Sequence, residues 1–380
     1  MIYFIKKTVW VILLISLFGC KKEAQAPATA TTTVQNSIEY ASNLSIKKYP
    51  NYQIVTVINP WPNATKNFTY ILKNKNTILP DSLKNEAVIN VPLASIVVTS
   101  TTIIPYLEML GVEKKLIGFP HTDYISSSKT RALIDQGKVK NIGQNEQLNT
   151  EQLIELAPSL IVIFGIDNNN PMFENLQKSG LNLLIQADWM EQTPLGKAEW
   201  IKLYGALFGK EKEAKILFDA IVKNYQQAVV LAQKQTNKAT VLYGSMYQDQ
   251  WYVAKGNSWV AQFIKDAKGQ YLWSNLEGSG SLGISFESAL EKGKNAHCWI
   301  ASGSFKTLAE LGNANPHYRQ FDAFKTKNVY SFETKIGATG GTIYYEQAPS
   351  RPDLVLKDYI KIFHPELLPH YNFTFAQKLN

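Results

Sequence analysis

Residues 194–235 carry helical periodicity without a strand, and on both sides short apolar runs alternate with amphipathic stretches. That order calls for two α/β lobes and a helical connector between them. Within the connector, one helix spans 194–208 and breaks at Gly209; a second covers about 211–235, with Ala214, Leu217, Phe218, Ile221 and Val222 on one face. A helix of about 25 residues is roughly 37 Å long, more than one globular domain usually needs and enough to bridge two. Ahead of it, strands are expected at 94–99, 116–119, 160–164 (LIVIF) and 181–185, with helices over 104–110, 126–136, 150–157 and 171–179 between them. Gly111, Pro158 and Gly180 supply the stops. Beyond it, strands at 239–243, 296–300 and 329–332 alternate with helices over 258–266, from 285, over 321–325 and over 352–363. Strands alternating with helices make parallel βαβ units. The expected class is α/β: two Rossmann-like lobes with mostly parallel sheets, 93–195 and 237–380, joined by one long rigid α-helix within 196–236.

Residues 38–92 favour strands. YQIVTVI at 52–58 alternates, Asn59-Pro60-Trp61-Pro62 breaks it, and FTYIL at 68–72 can pair back as an N-terminal β-hairpin extension. At the start of the chain, Lys6 and Lys7 precede the apolar run VWVILLISLF at 9–18, which suits a signal-peptide core and is too short to span a bilayer. The run ends in Leu17-Phe18-Gly19-Cys20, which resembles a bacterial lipobox. The resemblance implies that residues 1–19 are removed and that Cys20 is acylated, holding the protein at a membrane surface. Phe18 departs from the smaller residue usual at its place, and an ordinary signal peptide with an incidental cysteine is the alternative. Residues 20–37, rich in Ala, Thr and Gln, are too poor in apolar side chains to order themselves and form a tether.

Composition removes several function classes. Hydrophobic residues at 45% against 18% charged exclude a wholly disordered or fibrous chain. The net charge of +8 is spread along the sequence without a nucleic-acid-reading motif, so no nucleic-acid partner is expected. Of the two cysteines, Cys20 is committed to the lipobox and Cys298 sits in an apolar strand as an inert thiol, so no disulfide framework follows. Gly278-Ser279-Gly280-Ser281-Leu282-Gly283 fits G-x-G-x-x-G but lacks the strand before it and the acidic residue after it; a flexible loop leading into the Glu287 helix is expected instead. Asp167-Asn168-Asn169-Asn170-Pro171 is a turn before a helix. The chain has no G-x-S-x-G elbow, HExxH or paired CxxC, and His317, His364 and His370 carry no assigned chemistry. No catalytic residue, cofactor or resident metal is expected, and the protein is not expected to be an enzyme.

From Val91 to Leu367 the chain resembles substrate-binding proteins of the iron-complex (siderophore or haem) and vitamin B12 class of ABC importers. The matching pieces are VVTSTTIIPYLEMLG (97–111), IGFPHTDY (117–124), NTEQLIELAPSLIV (149–162, with Ser159 where the family has Asp), ISFESALEK (284–292) and SRPDLVL (350–356). The resemblance implies a cleft between the lobes that takes a ferric siderophore or a cobalamin-type corrinoid, and delivery to an ABC permease and its ATPase. It also implies a monomer, anchored by lipid on the periplasmic or extracytoplasmic face of the bacterial envelope. Glu151 and Glu287 match the family's two permease-docking glutamates; each also stands at a helix start, where the dipole alone favours a carboxylate.

Ligand contacts are expected among aromatic residues at strand ends: Tyr124, Trp189, Trp251, Tyr252, Phe305, Tyr344 and Tyr345. Each could equally pack a core; Trp189 and Trp251 stand out because each follows a strand beside a polar residue. Lys335 or Arg351 would meet anionic groups, although Arg351 precedes Pro352 and could simply hold that loop. His121 and Tyr124 share one loop, and in the haem-binding branch of the family a tyrosine from this loop ligates iron. A haem receptor with Tyr124 as iron ligand is therefore an alternative, as is a sensor or an enzyme reusing the same frame.

Overall fold

The computed structural model describes residues 34–380 except 146, 166 and 168–170. The signal segment, Cys20, the tether up to residue 33 and most of the 167–171 turn lie outside the described residues. Four strands form the extension: β1 (Leu44–Lys48), β2 (Tyr52–Val57), β3 (Phe68–Lys73) and β4 (Ala87–Asn90). The expected hairpin is β2–β3, antiparallel with Tyr52 opposite Lys73. It sits inside a larger sheet, because β1 pairs antiparallel with β2 and β4 runs parallel to β3. Ahead of β1, Asn36 forms an isolated antiparallel bridge with Lys47.

The first lobe follows in chain order. It comprises β5 (Ile96–Val98), α1 (Ile104–Met109), β6 (Leu116–Phe119), α2 (Ser128–Asp135), β7 (Lys140–Asn141) and a small ladder of β8 (Gly143–Gln144) with β9 (Gln147–Leu148). Then come α3 (Thr150–Leu156), β10 (Leu160–Phe164), α4 (Pro171–Lys178) and β11 (Leu183–Gln186). Its sheet, in the order β11-β10-β5-β6-β7, is parallel throughout. Covered on both faces, these strands are near-continuous apolar runs such as LIVIF.

The connector holds α5 (Pro194–Glu199), α6 (Ile201–Phe208) and α7 (Glu211–Ala232). Gly209, at φ +65°, ends α6 in the left-handed conformation glycine tolerates. At 22 residues α7 is unbroken and about 33 Å long. Ala214, Phe218, Ile221, Tyr225, Ala228 and Ala232 form its buried stripe, while Ile216 and Val230 stay in solvent. A Cβ on Gly205 would stand 2.6 Å from that of Ala214, so α6 and α7 cross closely there.

The second lobe contains β12 (Thr240–Tyr243), β13 (Met246–Tyr247), β14 (Gln250–Ala254), α8 (Trp259–Asp266), β15 (Gln270–Tyr271), β16 (Ser281–Ile284), α9 (Phe286–Gly293) and β17 (Cys298–Ile300). It is completed by α10 (Leu308–Ala314), α11 (Asp322–Lys325), β18 (Val329–Ser331), α12 (Ile343–Gln347), α13 (Pro352–Phe363) and β19 (Gln377–Lys378). The sheet order is β15-β12-β17-β18-β19, parallel except for β19. Packed against α7, α13 ties this lobe to the connector. Strands β13, β14 and β16 form a separate antiparallel sheet. The glycine-rich stretch is thus a loop only to Gly280; from Ser281 it is strand β16, held in register by β14.

Comparing the two parallel sheets exposes a repeat. Each lobe's first strand (β5, β12) pairs on one side with its second (β6, β15) and on the other with a strand (β10, β17) flanked by a fourth (β11, β18). The helix leading into β10 is α3, and the helix leading into β17 is α9.

Candidate functional site

In parallel α/β sheets, ligands meet the loops beyond the carboxyl ends of the strands. In the first lobe, β6 ends in a turn begun by His121 (φ +47°), which presents Tyr124 with 59% of its surface exposed. The two rings lie 5.3 Å apart. Trp189 follows β11, half-buried, its ring 5.8 Å from that of Phe164 at the end of β10. Its indole N–H donates to the Gly165 carbonyl at 3.1 Å, which fixes the ring's plane. These two sequence-predicted residues, Tyr124 and Trp189, keep ring surface available at the expected end of the sheet.

Beneath Trp189 lies a buried polar group. Lys197 on α5 donates to the carbonyls of Asp188 (3.0 Å) and Trp189 (3.3 Å). Burial pulls its ammonium below the usual lysine range and pushes the Asp188 carboxyl above the usual carboxylate range, while attraction between the two opposes both shifts. The Lys197 ammonium also sits 5.2 Å over the ring of Trp259. Trp259, at the start of α8, stacks on Tyr344 at 5.9 Å. Sequence reasoning missed Trp259; the signal was an aromatic directly after a Ser cap, since Ser258 accepts the Ala261 N–H.

Elsewhere in the second lobe the expectations divide. Tyr345 is exposed, and burial together with the nearby Glu333 charge pushes its phenol up; Glu333 takes the Gly303 N–H at 3.0 Å. Phe305 is half-buried against Gly303. Tyr252 is exposed on β14 beside Tyr247. Trp251, its neighbour, is a correction: at 0% exposure it is core, stacked 5.5 Å from Trp299, its indole N–H donating to the Tyr243 carbonyl. Tyr344 is likewise buried. The half-buried Lys335 donates its ammonium to the carbonyls of Phe373 (2.8 Å) and Thr374 (2.7 Å), which ties it to the C-terminal segment. Arg351 grips Asp353 through two bonds of 2.9 Å and holds the start of α13. Cys298 is buried and free, with burial pushing its thiol well up.

Glu151 and Glu287 are both exposed. Each is the second residue of its helix, behind a side-chain cap: Asn149 takes the Gln152 N–H at 3.0 Å, and Ser285 takes the Ser288 N–H at 3.1 Å. Because α3 and α9 precede equivalent strands, the two glutamates occupy matching places in the repeat. Among the described residues no cluster of three or more His, Cys, Asp or Glu could hold a metal ion, and no helix is long and apolar enough to cross a membrane.

Residues 96–335 match the periplasmic binding protein family. Among curated proteins, the chain is 29% identical to an uncharacterized lipoprotein of Methanocaldococcus jannaschii over 90% of this chain and 85% of that one. A second uncharacterized lipoprotein of the same organism is 25% identical over 93% of both chains. Among solved structures, the fold is similar to a periplasmic haem-binding protein from Pseudomonas aeruginosa (TM-score 0.57, 18% identity, 76% of this chain and 98% of that one). It is also similar to Helicobacter pylori CeuE with Ni(II) bound (TM-score 0.56, 18% identity, 75% and 88%).

Proposed function

The chain belongs to the periplasmic binding protein family, and from that premise we propose that it is a lipid-anchored, non-enzymatic receptor. It captures a ferric siderophore or a cobalamin-type corrinoid between its lobes and delivers it to an ABC permease and its ATPase. The observation that carries this reading is the equivalence of Glu151 and Glu287. A repeat that presents one exposed carboxylate from each lobe suits a partner that must grip both lobes at once. Support for the anchor comes from Leu17-Phe18-Gly19-Cys20 together with two relatives named lipoproteins. Haem is the second reading, favoured by the exposed Tyr124 phenol beside His121, a pair able to meet iron and a ring face together.

The test is native mass spectrometry with a visible absorbance scan of the purified protein, offered haem, cobalamin and several ferric siderophores. One of them is expected to bind with unit stoichiometry and to be recovered unaltered; a chemically changed product would point to an enzyme. Tyr124→Ala is expected to weaken that cargo about tenfold, the scale of one lost ring contact. Unchanged affinity would place the cargo elsewhere, and binding without uptake would favour a sensor.

A further inference from the structure

Besides α7, the lobes meet at a second place, where the segment between β18 and α12 lies on the turn that carries Tyr124. The Thr339 hydroxyl donates to the Asp123 carbonyl at 2.7 Å. The Ser126 N–H donates to Glu346 Oε2 at 2.6 Å. Gly341 has no room for a side chain, since a Cβ there would collide with the Tyr124 carbonyl, and one on Gly337 would stand 2.7 Å from Ser126 Cα.

Glu346 is 1% exposed, and its second oxygen, Oε1, is buried without a partner; so is Ser126 Oγ at the same seam. Across the seam on α1 stands Glu108, whose Oε1 takes short hydrogen bonds from Ser127 and Thr130. The turn itself brings His121, Asp123 and Tyr124, and behind it Arg131 on α2 is committed to the Thr122 carbonyl and to Asp123. From its own side, Glu346 is accompanied by Tyr344, Tyr345 and Lys335, the last tied to the C-terminal carbonyls. Two carboxylates thus face each other across a seam, with no cation bonded to Glu346 among the described residues. A proton on Oε1 removes the repulsion between the two carboxylates and the cost of a buried charge that no cation answers.

We propose that Glu346 is a positioning residue: protonated, it clasps the Tyr124 turn to the opposite lobe, and ionised, it lets the turn go. Burial first, and the Glu108 charge after it, push the Glu346 carboxyl up to about 7 against the opposing bonds from Ser126 and Ser127. The clasped state therefore holds the proton more tightly than the open one. The clasp is complete in acid, weakens as pH rises from the ordinary carboxyl range to about 7, and changes no further above that. Its effect on cargo rests on the reading of the cleft given above; its effect on the turn does not.

The test is hydrogen–deuterium exchange on the cargo-free full chain, corrected for intrinsic rates. Protection across residues 122–127 is expected to fall about tenfold or more between pH 5.5 and 8.5. Glu346→Gln, neutral at every pH, should keep the turn protected and flatten the profile. Glu108→Gln should move the midpoint to lower pH. Should Glu346→Gln fold poorly, the parent profile and Glu108→Gln still decide. A flat parent profile, or a Glu346→Gln profile matching the parent, overturns the clasp. Failure of every cargo to bind leaves this measurement untouched and counts against the proposed function alone.

Discussion

Exchanging Glu151 and Glu287 together for lysine is expected to cut cargo uptake by more than ~100-fold while cargo affinity stays within about twofold of the parent. Both side chains are exposed, and among the described residues neither enters an ion pair, so the exchange removes no internal contact. The local cost is that of a cation at a helix start, about 0.3–1 kcal/mol per site, too little to unfold the protein. At a docking surface the same exchange sets cation against cation, which costs several kcal/mol per contact. Single exchanges should fall between parent and double variant, because each lobe would lose only its own grip. Transport measured in cells or reconstituted vesicles, beside equilibrium binding of the same cargo, separates the two effects. Uptake within about threefold of the parent would remove the docking role and leave the glutamates as helix-start preferences.

Much of this frame was legible because its signals are local. LIVIF and IVV declare buried parallel strands, and the apolar spacing along α7 declares its stripe. Asn149, Ser258 and Ser285 mark helix starts that the structure confirms with bonds. Lost elements are short or depend on distant partners: β1 and β4 complete a sheet whose middle alone alternates clearly, and β16 exists only because β14 pairs with it. Adjacent residues of a strand point to opposite faces, so Trp251 and Tyr252 could not both face a ligand. Trp251 and Val253 go inward, and Tyr252 outward. The contacts of Lys335 with the carbonyls of Phe373 and Thr374 are not legible in the sequence, since nothing near it announces them. Glu346 looks like any helix-face glutamate until its contact with Ser126, 220 residues away, is seen.

Glu199→Ala is expected to destabilise the protein by at least ~4 kcal/mol, seen as a fall in Tm of roughly 5 °C or more. Glu199, fully buried on α5, takes backbone N–H groups from Glu39 (2.9 Å), Tyr40 (2.6 Å) and Ala41 (2.8 Å). Glu191 continues the run with Ser42 (2.8 Å) and Asn43 (2.9 Å), so two carboxylates fasten five consecutive amides of the extension. Lys202 answers the Glu199 charge at 2.6 Å and lies 4.7 Å over Phe218 of α7. Alanine would strand three amides, at ~1–3 kcal/mol each where they stay buried, and would leave the Lys202 charge without its partner. Water entering the gap lowers that total, which sets the expectation at its lower end. Glu199→Gln keeps the shape and one acceptor oxygen and should lose less. Hydrogen exchange should deprotect residues 39–41 before the core strands, because the damage starts where the amides are freed. A Tm within about 2 °C of the parent would show that the extension is held elsewhere. The same helix carries Lys197, whose ammonium reaches Trp259 in the other lobe. Loosening α5 should therefore weaken cargo binding as well, although Glu199 itself is sealed from solvent.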